Sequence, residues 1–233
     1  MKETIEKLDW NAISNQLNEY GYALVKKVIT GDECDQLAKG YDQTNLYRKT
    51  INMERYRFGP GEYKYFNYPL PLIIEEIRNH VYPHLAPVAN NWMRVLNINK
   101  QFPEIHKELL DECHAHQQTR PTPLILRYDK GGYNTLHQDL YGDIYFPMQL
   151  VLFLDEPGKD YDGGEFVLIE QRPRAQSKAI VLKPGKGSML IFTTNFRPVK
   201  GAKGYYRVNM KHGVSEVTSG RRHTLGIIFH DAS

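Results

Sequence analysis

What this chain has little of narrows its function first. Only two of its 233 residues are cysteine, Cys34 and Cys113, and they stand far apart. That leaves no disulfide framework, and a reducing, cytoplasmic setting is the expectation. No apolar run approaches the length of a bilayer crossing. The opening MKETIEKLDW is charged rather than apolar, so neither a signal peptide nor a membrane anchor is expected. An excess of charge is missing too: 30 Lys plus Arg against 27 Asp plus Glu leaves +3, too mild to argue for a nucleic-acid or membrane partner. There is no Gly-x-Ser-x-Gly elbow for a serine hydrolase and no loop leading to Gly-Lys-Ser/Thr for a nucleotide phosphate. Gly59-Pro60-Gly61 and the paired glycines read as turns. Cys113-His114-Ala115-His116 resembles a zinc fragment, but no second pair of ligands with zinc spacing follows. Repeats and low-complexity tracts are absent, so residues 1–233 are read as one domain with room for a sizeable core.

What is present divides the chain by character. Sixteen tyrosines and thirteen prolines suit strands, turns and an aromatic-lined surface or pocket. From Ile5 to Tyr20, Leu8, Trp10, Ile13 and Leu17 recur at three- or four-residue steps, an amphipathic helix ending near Gly21. Ala23–Ile29 is a short apolar strand, and Thr30 with Glu33 makes a capping box that opens a helix through Gly40. Arg55–Pro71, RYRFGPGEYKYFNYPLP, has no clear period and reads as a long ordered loop or short hairpin, either packed on its own rings or gripping a substrate. Leu72–Leu96 is helical, broken near Pro83 and Pro87, and Phe102–Cys113 is a further helix. From Pro121 onward short β-rich runs take over: Leu124–Tyr128, Phe146–Leu154, Glu165–Ile169, Ala179–Leu182, Ser188–Phe192, Tyr205–Met210 and Arg222–Phe229, separated by turn residues. The fold class expected is α+β, with residues 1–119 a mostly helical cover and 120–233 an antiparallel jelly-roll core.

The chemistry concentrates in LILRYDKGGYNTLHQDL, Leu124–Leu140, where His137 and Asp139 stand two residues apart. In an extended strand that spacing turns an imidazole and a carboxylate to one side. With His212 they make a two-histidine, one-carboxylate set, which binds one face of iron(II) and leaves the opposite positions open. Lys200–Gly204, KGAKG, lies between the two halves as a substrate loop or a surface turn.

In order, these motifs resemble the iron(II)- and 2-oxoglutarate-dependent oxygenases, and most closely the prolyl-hydroxylase-like branch. The matching residues are Tyr128-Asp-Lys-Gly131, His137-Gln-Asp139, Gly163-Gly164-Glu165, His212-Gly-Val214 and Arg222, within about residues 120–230. The resemblance implies a double-stranded β-helix with Fe(II) in its mouth, held by His137, Asp139 and His212, with 2-oxoglutarate and O2 as co-substrates. It implies hydroxylation of a prolyl or other amino-acid residue of a peptide or protein, or of a related small molecule, with 2-oxoglutarate decarboxylated to succinate. Relatives that halogenate lack the carboxylate that Asp139 supplies here. The far carboxylate of 2-oxoglutarate needs a cation, and the planar guanidinium of Arg222 can meet it with two parallel hydrogen bonds. Arg221 competes for the role, but adjacent strand residues face opposite ways so that only one can point in, and Arg222 is preferred because it shares parity with Thr224 and has the family spacing; Thr224 and Tyr128 are candidate hydroxyl partners. Arg120, Arg172 and Arg174 are candidate substrate-side cations, or else solvated strand-end charges.

Two alternatives stand beside this. A nucleic-acid demethylase of the AlkB type shares the His-x-Asp…His and Arg pattern, but the mild net charge argues against nucleic acid. Its two arginines enclosing Asn-x-Thr-Phe are also missing from Arg222-His-Thr-Leu-Gly-Ile-Ile-Phe229. The other is a non-catalytic jelly roll that binds a metal or an anion.

Overall fold

Capping chemistry bounds the first elements of the computed structural model, which describes residues 1–233. A short helix α1 (Lys2–Glu6) precedes α2 (Trp10–Tyr20), where the Asp9 side chain accepts from the Ala12 amide and Gly21 ends the helix at φ +78°. Glycine reaches that left-handed conformation without a Cβ penalty. Strand β1 (Tyr22–Val25) stops short of the expected Ile29, and Lys27 at φ +55° turns the chain toward α3 (Gly31–Lys39). The expected capping box forms: the Thr30 hydroxyl accepts from the Glu33 amide at 3.2 Å, and the Glu33 carboxylate from the Thr30 amide at 2.7 Å.

The first half is less purely helical than its sequence suggested. β2 (Tyr47–Asn52) and β3 (Glu62–Phe66) pair across a 3-10 turn at Met53–Tyr56, so the aromatic stretch after Arg55 is the return of a hairpin. Helix α4 (Leu72–Val95) runs unbroken through Pro83 and Pro87. Both prolines are exposed, while Ile74, Ile77, Val81, Leu85 and Trp92 are fully buried on the other side. Each internal proline costs about 3 kcal/mol, and each large apolar side chain buried returns about 1.5–3 kcal/mol, so packing holds the helix together. Helix α5 (His106–Ala115) starts later than Phe102, because the Asn90 amide takes both backbone groups of Phe102, at 2.7 and 2.9 Å.

The remaining strands are β4 (Leu124–Asp129), β5 (Asn134–His137), β6 (Met148–Phe153), β7 (Tyr161–Gly163), β8 (Phe166–Gln171), β9 (Lys178–Leu182), β10 (Met189–Thr193), β11 (Phe196–Gly201), β12 (Gly204–Val214) and β13 (Val217–Ile228). They form two antiparallel sheets, a larger one in the order β1-β10-β6-β13-β4-β3-β2 with β7 on β13, and a smaller one in the order β11-β12-β8-β9 with β5 on β12. The two sheets make a jelly roll, and residues 201–204 are simply the turn between β11 and β12.

Alternation along the central strands divides the apolar residues between two cores. Leu150 and Leu152 of β6, with Ile191 of β10 and Leu225 of β13, pack against the helices. Val151, Phe153, Leu190 and Phe192 point between the sheets. Covered on both faces, β6 therefore reads as a continuous apolar run, and Gln149 is its one polar member. The even-numbered positions of β13 face inward, which brings Arg222, Thr224, Gly226 and Ile228 into the space between the sheets. Arg78 of α4 locks the carboxy-terminal end: it pairs with buried Asp231 at 2.9 Å and donates to the Ile228 and Phe229 carbonyls.

Candidate active site

The inner end of β5 sets the geometry. Its pairing with β12 places His137 directly opposite His212, so both rings stand on one face with centroids 4.2 Å apart. Strand pairing stops there, and Asp139 lies beyond the strand rather than on it, which differs from the expected strand alternation. The loop is held instead by Gln138, whose amide donates to the Asn195 and Met210 carbonyls at 3.1 and 2.8 Å. By that route Asp139 reaches the same point, 3.6 Å from Nε2 of His137 and 3.3 Å from Nε2 of His212. One ligand atom from each of the three residues lies within 4.8 Å of the others, and no other group of three metal-ligating side chains is this close.

Protonation states suit a metal. His137 donates Nδ1–H to the Thr135 carbonyl at 2.8 Å, which leaves Nε2 free. Burial and then the neighbouring His212 hold its imidazole below the usual histidine range. Burial pushes the Asp139 carboxyl up, but the hydrogen bond and charge of His212, with His137 and Gln149, outweigh it and hold the carboxyl well below the usual range. Both oxygens of Asp139 are oriented: Tyr141 donates to Oδ1 at 2.9 Å and Gln149 to Oδ2 at 2.7 Å.

From this triad a cavity of about 90 Å³ runs inward between the sheets, room for roughly six waters or one small dicarboxylate. Its triad end is the open one: the side chains of His137 and Asp139 are 18% and 14% exposed, whereas Arg222 and Tyr128 at the other end are 1% and 0%. Nε and Nη1 of Arg222 meet no partner, nor do the Tyr128 hydroxyl and Asn134 Oδ1. The Arg222 guanidinium lies 5.6 Å from the Tyr128 and Phe153 ring centroids and 5.9 Å from that of Tyr161, and Glu165 is the acid that feels its charge. A buried cation with two unpaired nitrogens is costly to hold, and together with the orphaned hydroxyl it marks the closed end as fitted to an anion. Burial, countered by Arg222, pushes the Tyr128 phenol up to about 12 and keeps it a donor. The paired glycines complete this end: Gly164, at φ +61°, leaves room where a Cβ would sit 2.9 Å from Cδ of Arg222.

The other candidates separate by position. Thr224 lines the cavity beside Arg222, while Arg221 is exposed and pairs with Asp129 at 2.6 Å. Arg120 is exposed and backbone-paired with Ala232. Arg172 sits on Glu170 at 2.7 Å, Arg174 occupies an exposed turn at φ +60°, and neither lines the cavity. His114 lies 3.2 Å from Asp231, His223 2.9 Å from Asp155, and His230 accepts from the Phe146 amide. Gln149, Tyr141 and Asn134 escaped sequence reasoning. The one available signal was a lone glutamine within FPMQLVLF.

The model of a family described as "Oxygenase, catalysing oxidative methylation of damaged DNA" matches residues 61–232. Uncharacterized protein Rv2227 of Mycobacterium tuberculosis is 44% identical over 168 residues, 72% of each chain. A prolyl hydroxylase from Trichoplax adhaerens, solved with a hypoxia inducible factor oxygen degradation domain peptide fragment, is similar in structure, with a TM-score of 0.54 at 14% identity over 97% of this chain and 90% of that one. An oxidoreductase of the 2OG-Fe(II) oxygenase family from Burkholderia pseudomallei gives a TM-score of 0.53 at 15% identity over 97% and 93%. The two structural likenesses carry the fold, which is the jelly roll of the 2OG-Fe(II) oxygenases. No helix is long and apolar enough to cross a membrane.

Proposed function

The chain belongs to the oxygenase family whose model spans residues 61–232, and on that premise we propose that it is an Fe(II)/2-oxoglutarate-dependent dioxygenase that hydroxylates a C–H bond. In this reading His137, Asp139 and His212 hold the iron, Arg222 holds the far carboxylate of 2-oxoglutarate, and Tyr128 and Thr224 offer it hydroxyls. One observation carries the reading: a three-ligand set and a buried arginine with two unpaired nitrogens face the same small cavity from its two ends. The fit is chemical as well as spatial. Two imidazoles and a carboxylate suit iron(II) and leave positions for an oxo-acid and dioxygen, and a guanidinium fork suits a carboxylate.

Iron(II) held there with 2-oxoglutarate would supply oxygen activation, with one oxygen atom ending in succinate beside released carbon dioxide and the other on the substrate carbon. The protein's part is orientation and exclusion of water. Thr135 fixes the His137 tautomer, Tyr141 and Gln149 fix the Asp139 carboxylate, and Phe166 and Phe192 flank His212 at ring-centroid distances of 5.9 and 4.8 Å. The apolar walls strengthen every charge contact inside.

For the substrate, the family description favours a modified base in nucleic acid over the prolyl residue that the sequence resemblance implied. Family membership rests on most of the chain, whereas the prolyl hydroxylase likeness stands at 14% identity and carries the fold alone. Aromatic rings at the mouth suit a base: Phe58, Tyr63 and Tyr141 line the cavity, with Phe58 5.7 Å from His137. A peptide is the second reading, favoured by the peptide bound to the Trichoplax enzyme. Succinate formation measured with N-methylated oligonucleotides and with proline-containing peptides separates them. Formaldehyde released in step with succinate from the oligonucleotide supports the first reading. A hydroxylated peptide with an inert oligonucleotide supports the second, and no stimulation by either contradicts both.

A further inference from the structure

Within residues 55–71 some of the aromatic side chains pack on their own kind and one does not. Tyr63 and Tyr65 of β3 meet edge to face at 5.4 Å, and Phe58 lies 5.7 Å from the His137 ring. Met53 and Phe58 both line the cavity, and the Phe58 amide closes on the Met53 carbonyl at 3.2 Å. The four residues looped out between them, Glu54, Arg55, Tyr56 and Arg57, are all exposed, Tyr56 at 56%. Tyr56 stacks on no other ring, and neither Arg55 nor Arg57 pairs with a carboxylate, Glu54 included. Arg48 and Arg127 of the adjoining strands differ, lying over the rings of Tyr65 and Tyr41 at 4.5 and 4.4 Å.

This tip is tied to the triad through the backbone. The Thr135 amide donates to the Phe58 carbonyl at 2.9 Å, and the Thr135 carbonyl accepts from Nδ1 of His137 at 2.8 Å. Tyr133 donates its amide to the Pro60 carbonyl at 3.1 Å, and its ring lies where a Cβ on Gly59, at φ +103°, would meet it at 2.5 Å. Arg57 is thus one residue from the ring that covers His137. It holds φ +62°, a conformation that glycine takes freely and a long side chain seldom does. The turn itself gives no reason for an arginine there.

We infer that Arg55, Tyr56 and Arg57 form a strand-binding tip: Tyr56 stacks on a base next to the target, the two guanidinium groups take flanking phosphates, and the target base enters beside Phe58. The inference rests on the nucleic-acid reading of the substrate and deepens it. Cations that follow the backbone and a free ring that offers a base its face are the two requirements for holding a single strand. A planar guanidinium can also meet two phosphate oxygens at once. A neutral peptide has no counterpart for two unpaired cations, whereas every nucleotide step supplies a phosphate. Arg222 serves the co-substrate inside the cavity, and the tip serves the substrate outside it.

Anisotropy of a fluorescent single-stranded oligonucleotide, titrated with the full chain at several salt concentrations, tests this. Each phosphate contact contributes about 0.7 to the slope of log affinity against log salt on a single strand, so Arg55→Gln and Arg57→Gln should each lower the slope by about that much. Loss of one base stack weakens binding by about 5- to 150-fold; Tyr56→Ala should do so with the slope held, and Tyr56→Phe should bind as wild type. Arg94→Gln, at an exposed position of α4, is the control and should leave the slope unchanged. A slope lowered as much by Arg94→Gln as by the tip variants means diffuse attraction and overturns the tip. Wild-type affinity in Tyr56→Ala with unchanged slopes in both tip arginine variants also overturns it and leaves the nucleic-acid reading standing. No strand binding by wild-type protein that still forms succinate overturns both the tip and the nucleic-acid substrate, while the oxygenase itself stands. Binding of an acidic peptide in place of the strand, lost in Arg57→Gln, assigns the tip to carboxylates and overturns the phosphate contacts.

Discussion

Gln149 donates its amide to Oδ2 of Asp139 at 2.7 Å while lying 3.4 Å from Nε2 of His212. A glutamine in the middle of an apolar strand thus touches two of the three proposed iron ligands. Together with Tyr141 on Oδ1 it leaves the carboxylate one orientation.

Replacing that contact tests how far orientation matters. Partners of metal ligands are typically worth 10–100-fold in metal affinity, so Gln149→Leu, close in volume, should weaken iron(II) binding on the order of tenfold or more. Anaerobic metal titration reads this directly, and unchanged affinity would mean the clamp is incidental.

Arg222 should separate stability from binding. Hydrogen bonds to charged groups are worth about 1.5–3 kcal/mol, so Arg222→Lys, which loses the fork, should raise the 2-oxoglutarate requirement by about 10- to 100-fold. Arg222→Met should leave the cofactor-free protein as stable as wild type or more so, because an unpaired buried charge is gone. At a hundredfold excess over its dissociation constant, 2-oxoglutarate should stabilise wild type by about 2.7 kcal/mol and Arg222→Met not at all. Equal thermal shifts in both proteins would move the carboxylate site elsewhere.

Gly164→Ala forces a Cβ to within 2.9 Å of Arg222 Cδ at a φ of +61°. Beyond a backbone cost of about 1–2 kcal/mol, it should displace the arginine stem, raising the 2-oxoglutarate requirement while iron affinity holds. A variant unaltered in both would show that the paired glycines serve only the turn.

Acid should weaken the fold before the carboxylates titrate. Burial, reinforced by Arg78, pushes His106 down to about 3 and His230 down to about 4. The unfolded chain takes up these protons near pH 6.5, and the folded chain does so only far below. Stability is therefore fully present above about pH 6.5 and declines as pH falls toward 4. Melting temperatures should hold from pH 7.5 to about 6.5 and then fall steadily toward pH 5, less steeply in His106→Gln. A flat profile over that range would place charged histidines in the folded state.

Much of the site was legible because its chemistry obeys short-range rules. His137, His212 and Arg222 lie on strands, where parity fixes the side each residue faces, so Thr224 could be grouped with Arg222 and Arg221 set apart. Asp139 reaches the triad by a loop, which no strand rule foresees. Gln149 and Tyr141 act through hydrogen bonds between elements distant in sequence, and no local pattern records those. The same limit applies to the fold. The capping box at Thr30 is local and forms as its sequence dictates, but the passage of α4 through Pro83 and Pro87 depends on burial against the large sheet. The pairing of β2 and β3 into that sheet likewise depends on β4.

The most direct test of the central claim is anaerobic titration of apoprotein with iron(II) and then 2-oxoglutarate, followed by visible absorption. The site described here predicts a weak charge-transfer band of a chelated keto-acid, lost in Asp139→Ala and shifted to higher 2-oxoglutarate in Arg222→Lys, with succinate appearing once oxygen is admitted. Folded protein that gives neither band nor succinate would contradict the iron site and leave the jelly roll a binding scaffold.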